Sequence, residues 1–285
     1  MENIQGFMLD HLPIHSSNIS DSQFIVIILP ALGTPAKFYK QLYKGVIKAD
    51  LGAVLLSLKG EGLLKKAQLI SKSNFGYVEF LNDLEKIITF LKKNYPDKEI
   101  ITIGHSIGGQ LACLYNCHEN SFATASIVIA GGLVWYQSWN GFEKIKMLFA
   151  TQFLGLISKF LGWFPGKTIG FGGNQPKNLM LDWSRNARTG TYKLINQKID
   201  YEATSKNVKS RFLGIVIDKD MYAPYASTKN LLDKFSASDR DIYTLTKDDF
   251  NNITPNHLNW LKEPQPVIDK ITSWLHKKGI THENY

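Results

Sequence analysis

Residues 104–109 read Gly104-His105-Ser106-Ile107-Gly108-Gly109, a G-x-S-x-G pattern. An apolar run, Glu99 to Ile103, precedes it, and a helix-like run, Gln110 to Tyr115, follows it. A strand, a sharp turn with serine at its tip and then a helix is the context in which this pattern does chemistry. Glycines two positions either side of the serine relieve crowding in so tight a turn, and Gly109 lets the helix approach the sheet. Such a turn holds the Ser106 hydroxyl clear of the backbone. It also aims the first free N–H groups of the next helix at the same point. A serine hydroxyl is a weak nucleophile, so it needs a base within reach and a third group to orient that base. Asp218 and Asp220 follow the apolar run Gly214 to Ile217, and His257 lies in the loop Thr254-Pro255-Asn256-His257-Leu258. Ser, Asp, His is the chain order that a serine turn of this kind requires. On position alone either aspartate qualifies. Of the seven histidines, only His257 occupies the expected place. His105 sits beside the serine with its side chain directed away from the reacting group, and His118 falls on a helix.

The elements that must carry these residues alternate between strand and helix. Phe24 to Leu29 and Ala53 to Leu58 are continuous apolar runs rich in Val and Ile, as buried strands require. Ile100 to Ile103, Thr124 to Ala130, Arg211 to Ile217 and Asp241 to Leu245 read as further strands. Gln5 to Leu12 reads as an edge strand, with a polar turn over Ser16 to Ser22. Phe75 to Tyr95 and Val267 to Lys277 carry apolar residues at helical spacing. The alternation predicts a mostly parallel sheet with helices on both faces. In such a sheet the chemistry sits on loops at the carboxyl ends of the strands.

From about Leu133 to Val208 the alternation breaks. A long apolar segment, Ile145 to Phe164, leads into a glycine-rich passage, Gly166 to Gly173, and then a helix-like run, Asn178 to Asn186. This predicts a cap over residues 133–208 inserted into a core made of residues 1–132 and 209–285. Eleven apolar residues between Met147 and Phe164 are too many for one exposed face. Most are expected to pack against the core, with Phe153 and Trp163 as candidates to line an apolar pocket. Lys146 and Lys159 interrupt the segment, which argues against a transmembrane span. Arg185 and Arg188, three apart, would share a helix face and could grip a substrate anion. A structural ion pair with Asp182 is the competing expectation.

The chain has 285 residues, 44% of them hydrophobic, which suits a globular protein with a sizeable core. Lys and Arg exceed Asp and Glu by 33 to 25, a net charge of +8. The lysines are spread along the chain, so solvated faces are the main reading and weak contact with a membrane surface the lesser one. No nucleic-acid motif is present. Cys113 and Cys117, four apart on one predicted helix, are badly set for a disulfide and read as buried thiols. Residues 1–5 lack the features of a secretory leader, and the expectation is a cytoplasmic protein.

With these residues in view, the chain resembles the α/β-hydrolases. In that family the acid often lies four residues before a proline, and Asp220 to Pro224 matches this, whereas Asp218 does not. The resemblance implies two oxyanion donors: the N–H of Ile107, after the serine, and an N–H from the turn Leu29-Pro30-Ala31-Leu32-Gly33. Leu32 is the best match there, although family members commonly carry His-Gly where this chain has Pro30-Ala31. A closer resemblance is to a group of bacterial predicted α/β-hydrolases. They share the Pro-Ala-x-Gly turn, the Gly-His-Ser-x-Gly-Gly-Gln elbow, a passage like Gly172-Gly173-Asn174-Gln175-Pro176 and a run like Asp182 to Arg188. It spans roughly residues 22–280, with Asn256-His257 where the relatives favour Gly-His. It implies an α/β-hydrolase fold and a serine hydrolase for a small acyl substrate (ester, thioester or amide), with no metal or cofactor. Acyl transfer by the same triad and a non-catalytic binding protein are the alternatives, because this fold hosts many functions.

Overall fold

The computed structural model describes residues 14–58 and 74–280. Seven strands form the central sheet: β1 (Ile14–Ser17), β2 (Phe24–Leu29), β3 (Gly52–Leu56), β4 (Glu99–His105), β5 (Ala123–Ile129), β8 (Arg211–Ile217) and β9 (Asp239–Leu245). Their spatial order is β1-β3-β2-β4-β5-β8-β9. All neighbours pair in parallel except β1, which runs antiparallel to β3. The expected edge strand at Gln5 to Leu12 lies outside the described residues. The observed edge strand takes in Ser16 and Ser17, which the sequence places in a turn. Pairing with β3 (Ser16 opposite Val54) outweighs their weak strand preference.

The two faces of the sheet build two cores. Along β2, Ile25, Ile27 and Leu29 enter one, and Phe24, Val26 and Ile28 the other. This period of two explains why the strand is apolar throughout. The first face is covered by α2 (Tyr77–Asn94) and α3 (Ile107–Tyr115), the second by α1 (Lys40–Lys48). Cys113 and Cys117 are buried free thiols beside the first core, and α3 ends before Cys117.

Between β5 and β8 the chain forms α4 (Gly141–Leu161), a two-stranded ribbon of β6 (Trp163–Pro165) and β7 (Asn174–Pro176), and α5 (Lys177–Thr189). After β8 come α6 (Tyr225–Leu232), packed on the first face, and α7 (Gln265–Lys277), packed on the second. Leu179, Met180, Trp183 and Ala187 of α5 join the first core. Of the eleven apolar residues between Met147 and Phe164, Phe164 is buried and Leu154 and Ile157 pack on the first core, but one side of α4 remains apolar and exposed. Phe149, Phe153 and Phe160 are 69%, 62% and 83% exposed, and Leu156 and Leu161 also face outward. The residues α4 buries are Thr151, Gly155 and Ser158. The reason is close approach to α5: a Cβ at Gly155 would lie 2.4 Å from Ser184 Oγ. Gln152 Nε2 donates to the Ser184 carbonyl at 2.8 Å, fixing that seam. A helix held so near its neighbour presents small residues at the seam itself, and its bulky residues lie to the sides or outside.

Candidate active site

Ser106 stands between β4 and α3 with φ 55° and ψ −117°. A non-glycine residue held there costs on the order of 1–3 kcal/mol, which its surroundings must offset. They do so by close contact. A Cβ at Gly104 would lie 2.1 Å from the Gly108 carbonyl oxygen, and one at Gly108 2.3 Å from that of Leu29. Only glycine fits either position. The Ser106 N–H donates to the Ile129 carbonyl at 3.0 Å, tying the elbow to β5.

Three loops bring partners to this serine. His257, on the loop after β9, has Nε2 at 3.1 Å from Ser106 Oγ. Its Nδ1 lies 2.7 Å from Asp220 Oδ2. An ionised carboxylate only accepts, so Nδ1 carries the hydrogen and Nε2 offers its lone pair to the serine O–H. Asp220 follows β8 and is 4% exposed. Its other oxygen accepts the Tyr222 N–H at 2.8 Å, so both oxygens are engaged. Asp218 is held differently, its N–H donating to the Leu245 carbonyl at 2.8 Å, and its side chain makes no hydrogen bond to His257. Ile107 is the first residue of α3, and Leu32 lies in the turn after β2. Among the described residues, neither of their N–H groups has a hydrogen-bond partner.

His105 does more than point away. Its Nε2 lies 2.8 Å from the His257 carbonyl, which can only accept, so Nε2 carries the hydrogen. Its Nδ1 accepts from the Tyr39 hydroxyl at 2.7 Å, and that oxygen accepts the Ala31 N–H at 2.7 Å. Burial, and secondarily the neighbouring His257, hold the His105 pKa well below the ordinary histidine range, so the ring is neutral. The edge of Trp260 packs on it, with ring centres 5.2 Å apart. Tyr39 carried no sequence signal, because its role depends on contacts across the fold.

The remaining candidates lie apart from this group. Arg185 Nη1 is 3.4 Å from Asp182 Oδ1 and donates to the Lys193 carbonyl at 2.5 Å, the structural ion pair that was the competing expectation. Arg188 is exposed at the end of α5. Phe153 faces outward, and Trp163 is half-buried in the β6–β7 ribbon, opposite Pro176. The aromatic side chains that do approach the site form a different series. Tyr222 lies 5.2 Å from the His257 ring, Phe171 6.2 Å from Tyr222, and Trp183 5.7 Å from Phe171, all between ring centres.

Asp182 is buried, and burial pushes its pKa up from 3.8 to about 7, against the Ile195 N–H and Arg185, which favour the charge. Below pH 3.8 this carboxyl is neutral in folded and unfolded chains alike, and its contribution to stability is fully present. As the pH rises towards 7 the unfolded chain releases a proton that the folded chain retains, and the contribution is lost. The unfolding free energy of the wild type minus that of Asp182→Asn should therefore fall across this window, by up to about 4 kcal/mol. Urea unfolding of both proteins between pH 4 and 8 checks this. A difference independent of pH would mean that Asp182 ionises normally.

The family model described as serine aminopeptidase, S33, matches residues 20–245. No curated protein gives a significant sequence match. Among solved structures, the chain is similar to that of the metagenome-derived lipolytic enzymes LipS and LipT, with a TM-score of 0.64 and 13% identity over 93% of this chain and 97% of that one. A lipase-esterase related protein from Clostridium acetobutylicum gives 0.59 and 14%, over 92% and 98%. An esterase from Exiguobacterium antarcticum gives 0.58 and 12%, over 93% and 95%. At these identities the likeness is one of fold, a mostly parallel sheet flanked by helices. The family match rests on sequence and covers most of the chain: the protein belongs to the serine aminopeptidase S33 family of α/β-hydrolases and is a hydrolase.

Proposed function

We propose that this hydrolase cleaves a carboxylic ester or related acyl bond through an acyl-enzyme, with Ser106 as nucleophile, His257 as general base and acid, and Asp220 as its orienting carboxylate. The observation that carries this reading is the hydrogen-bonded line Ser106–His257–Asp220, and the unpartnered N–H groups of Ile107 and Leu32 leave donors for an oxyanion. Ser106 Oγ adds to the acyl carbonyl while its proton passes to His257 Nε2. The carbonyl oxygen becomes an oxyanion, received by the two N–H groups, each worth about 3 kcal/mol in the transition state. As the intermediate collapses, the leaving oxygen takes the proton from Nε2. Water then repeats the sequence on the acyl-serine: its proton goes to Nε2 and on to Ser106 Oγ as the acid departs. Throughout, Asp220 holds the imidazole in the tautomer that presents a lone pair to the serine.

Residues 133–208 act as a cap on a core of residues 1–132 and 209–285. Contact between the cap and the oxyanion turn supports this, since a Cβ at Gly33 would lie 2.2 Å from the Gly172 carbonyl oxygen. The acyl group lies against Tyr222, Phe171 and Trp183, the aromatic series that ends on His257. These take the place of Phe153 and Trp163 as the apolar wall. The buried free thiols Cys113 and Cys117 suit a reducing, cytoplasmic setting.

A fluorophosphonate should label the protein once, and peptide mapping should find the adduct on Ser106. Labelling elsewhere, or none, would overturn the nucleophile assignment. An apolar wall is also expected to raise kcat/KM from acetyl to hexanoyl esters. At roughly 0.8 kcal/mol per methylene, four methylenes give about 3 kcal/mol, on the order of a hundredfold. A flat or falling profile in a p-nitrophenyl ester series would exclude an acyl pocket on these rings.

A further inference from the structure

The outer face of α4 carries Phe142, Ile145, Phe149, Phe153, Leu156 and Phe160, all exposed. Their spacing of three and four residues places them in one stripe covering about a quarter of the helix circumference. The side packed on α5 carries the small residues Thr151, Gly155 and Ser158, with Leu154 and Ile157 half-buried against the first core, and the outward face is aromatic and aliphatic. Small residues at a helix seam with bulky apolar ones outside is the arrangement expected of a helix whose surroundings are hydrocarbon rather than water. Yet among the described residues no helix is long and apolar enough to cross a membrane. A helix of this kind lies along a surface.

Charge decides between the two surfaces that could cover the stripe. At 3.6 residues per turn, Lys146 and Lys159 fall on opposite flanks of it. Lys146 Nζ lies 5.3 Å from the Phe142 ring centre, its stem along the apolar face and its charge at the edge. Glu143 is the one acidic residue of α4, and it pairs with Lys146 at 2.6 Å. A second copy laid on this face would meet lysine-flanked rims with no unpaired carboxylate of α4 to answer them. A bilayer with anionic headgroups takes the stripe into its acyl boundary and meets the lysines with phosphate.

We propose that this protein docks on anionic lipid surfaces through the outer face of α4. The inference goes beyond the catalytic assignment and does not depend on it, so it is tested by binding alone. The full chain is sedimented with vesicles of phosphatidylcholine, alone or equimolar with phosphatidylglycerol. The wild type should pellet with the anionic vesicles and at least about tenfold less with the neutral ones, and raised salt should weaken the binding. Phe149→Ser, Leu156→Ser and Phe160→Ser combined should abolish pelleting while leaving the melting temperature and soluble-ester turnover unchanged, because these side chains support no packing. Lys146→Glu with Lys159→Glu should remove the preference for anionic lipid. A wild type that stays in the supernatant with both vesicles overturns the proposal, as does a triple variant that still pellets. So does a wild-type dimer in sedimentation equilibrium that the triple variant converts to monomer, since the stripe would then be a self-association face.

Discussion

Ser106→Ala is expected to lower kcat/KM on an activated ester by at least about ten-thousandfold, leaving only what binding and the oxyanion donors supply. The fold should not change. Ser106 stands at the tip of a turn, so removing its hydroxyl opens no core cavity, and alanine meets the same positive φ that serine already bears. Purified variant and wild type are compared by initial rate and by thermal melting. Turnover near the wild-type level would remove Ser106 from the chemistry. A collapsed melting temperature would mean that the hydroxyl is structural.

Asp220→Asn should cost nearly as much, about ten-thousandfold in kcat, whereas Asp218→Asn should stay within about threefold. The difference follows from what an amide does beside an imidazole. The Asn side chain can donate to Nδ1, which drives the ring hydrogen onto Nε2, and a protonated Nε2 cannot accept from the serine. Asp218 has no hydrogen bond to His257 through which to act. Steady-state kinetics on the two variants test this directly. If the losses came out reversed, the acid would be Asp218, and the loop after β8 would be shifted by two residues.

The parts of this protein that are legible in its sequence are those set by neighbours along the chain. The elbow is one: its glycines stand two residues from Ser106 because the clashes they avoid are within the turn itself. The strands are another, since β2, β4 and β8 are buried on both faces and must be largely apolar. Asp220 was favoured over Asp218 only through the family-like spacing to Pro224. What the sequence conceals depends on partners far along it. Tyr39 lies 66 residues from the His105 ring that it meets. Which apolar residues of α4 pack and which face outward is set by the seam with α5, not by the amount of apolar surface. Gly155 and Ser184, not the phenylalanines, decide which side faces inward. Tyr222 reaches His257 from the loop after β8, its N–H held by Asp220.

The contacts from the Ala31 N–H through Tyr39 and His105 to the His257 carbonyl set a tolerance. The site is assembled from four loops, and loops located independently would accumulate their positional errors. Here the turn after β2 and the loop of His257 are both gauged against one ring, and that ring belongs to the residue next to Ser106. A hydrogen bond gives way over about 0.5 Å before it weakens. That is also about the misplacement a catalytic constellation withstands. His105 thus serves as a common datum, against which the turn after β2 and the loop of His257 each register beside Ser106.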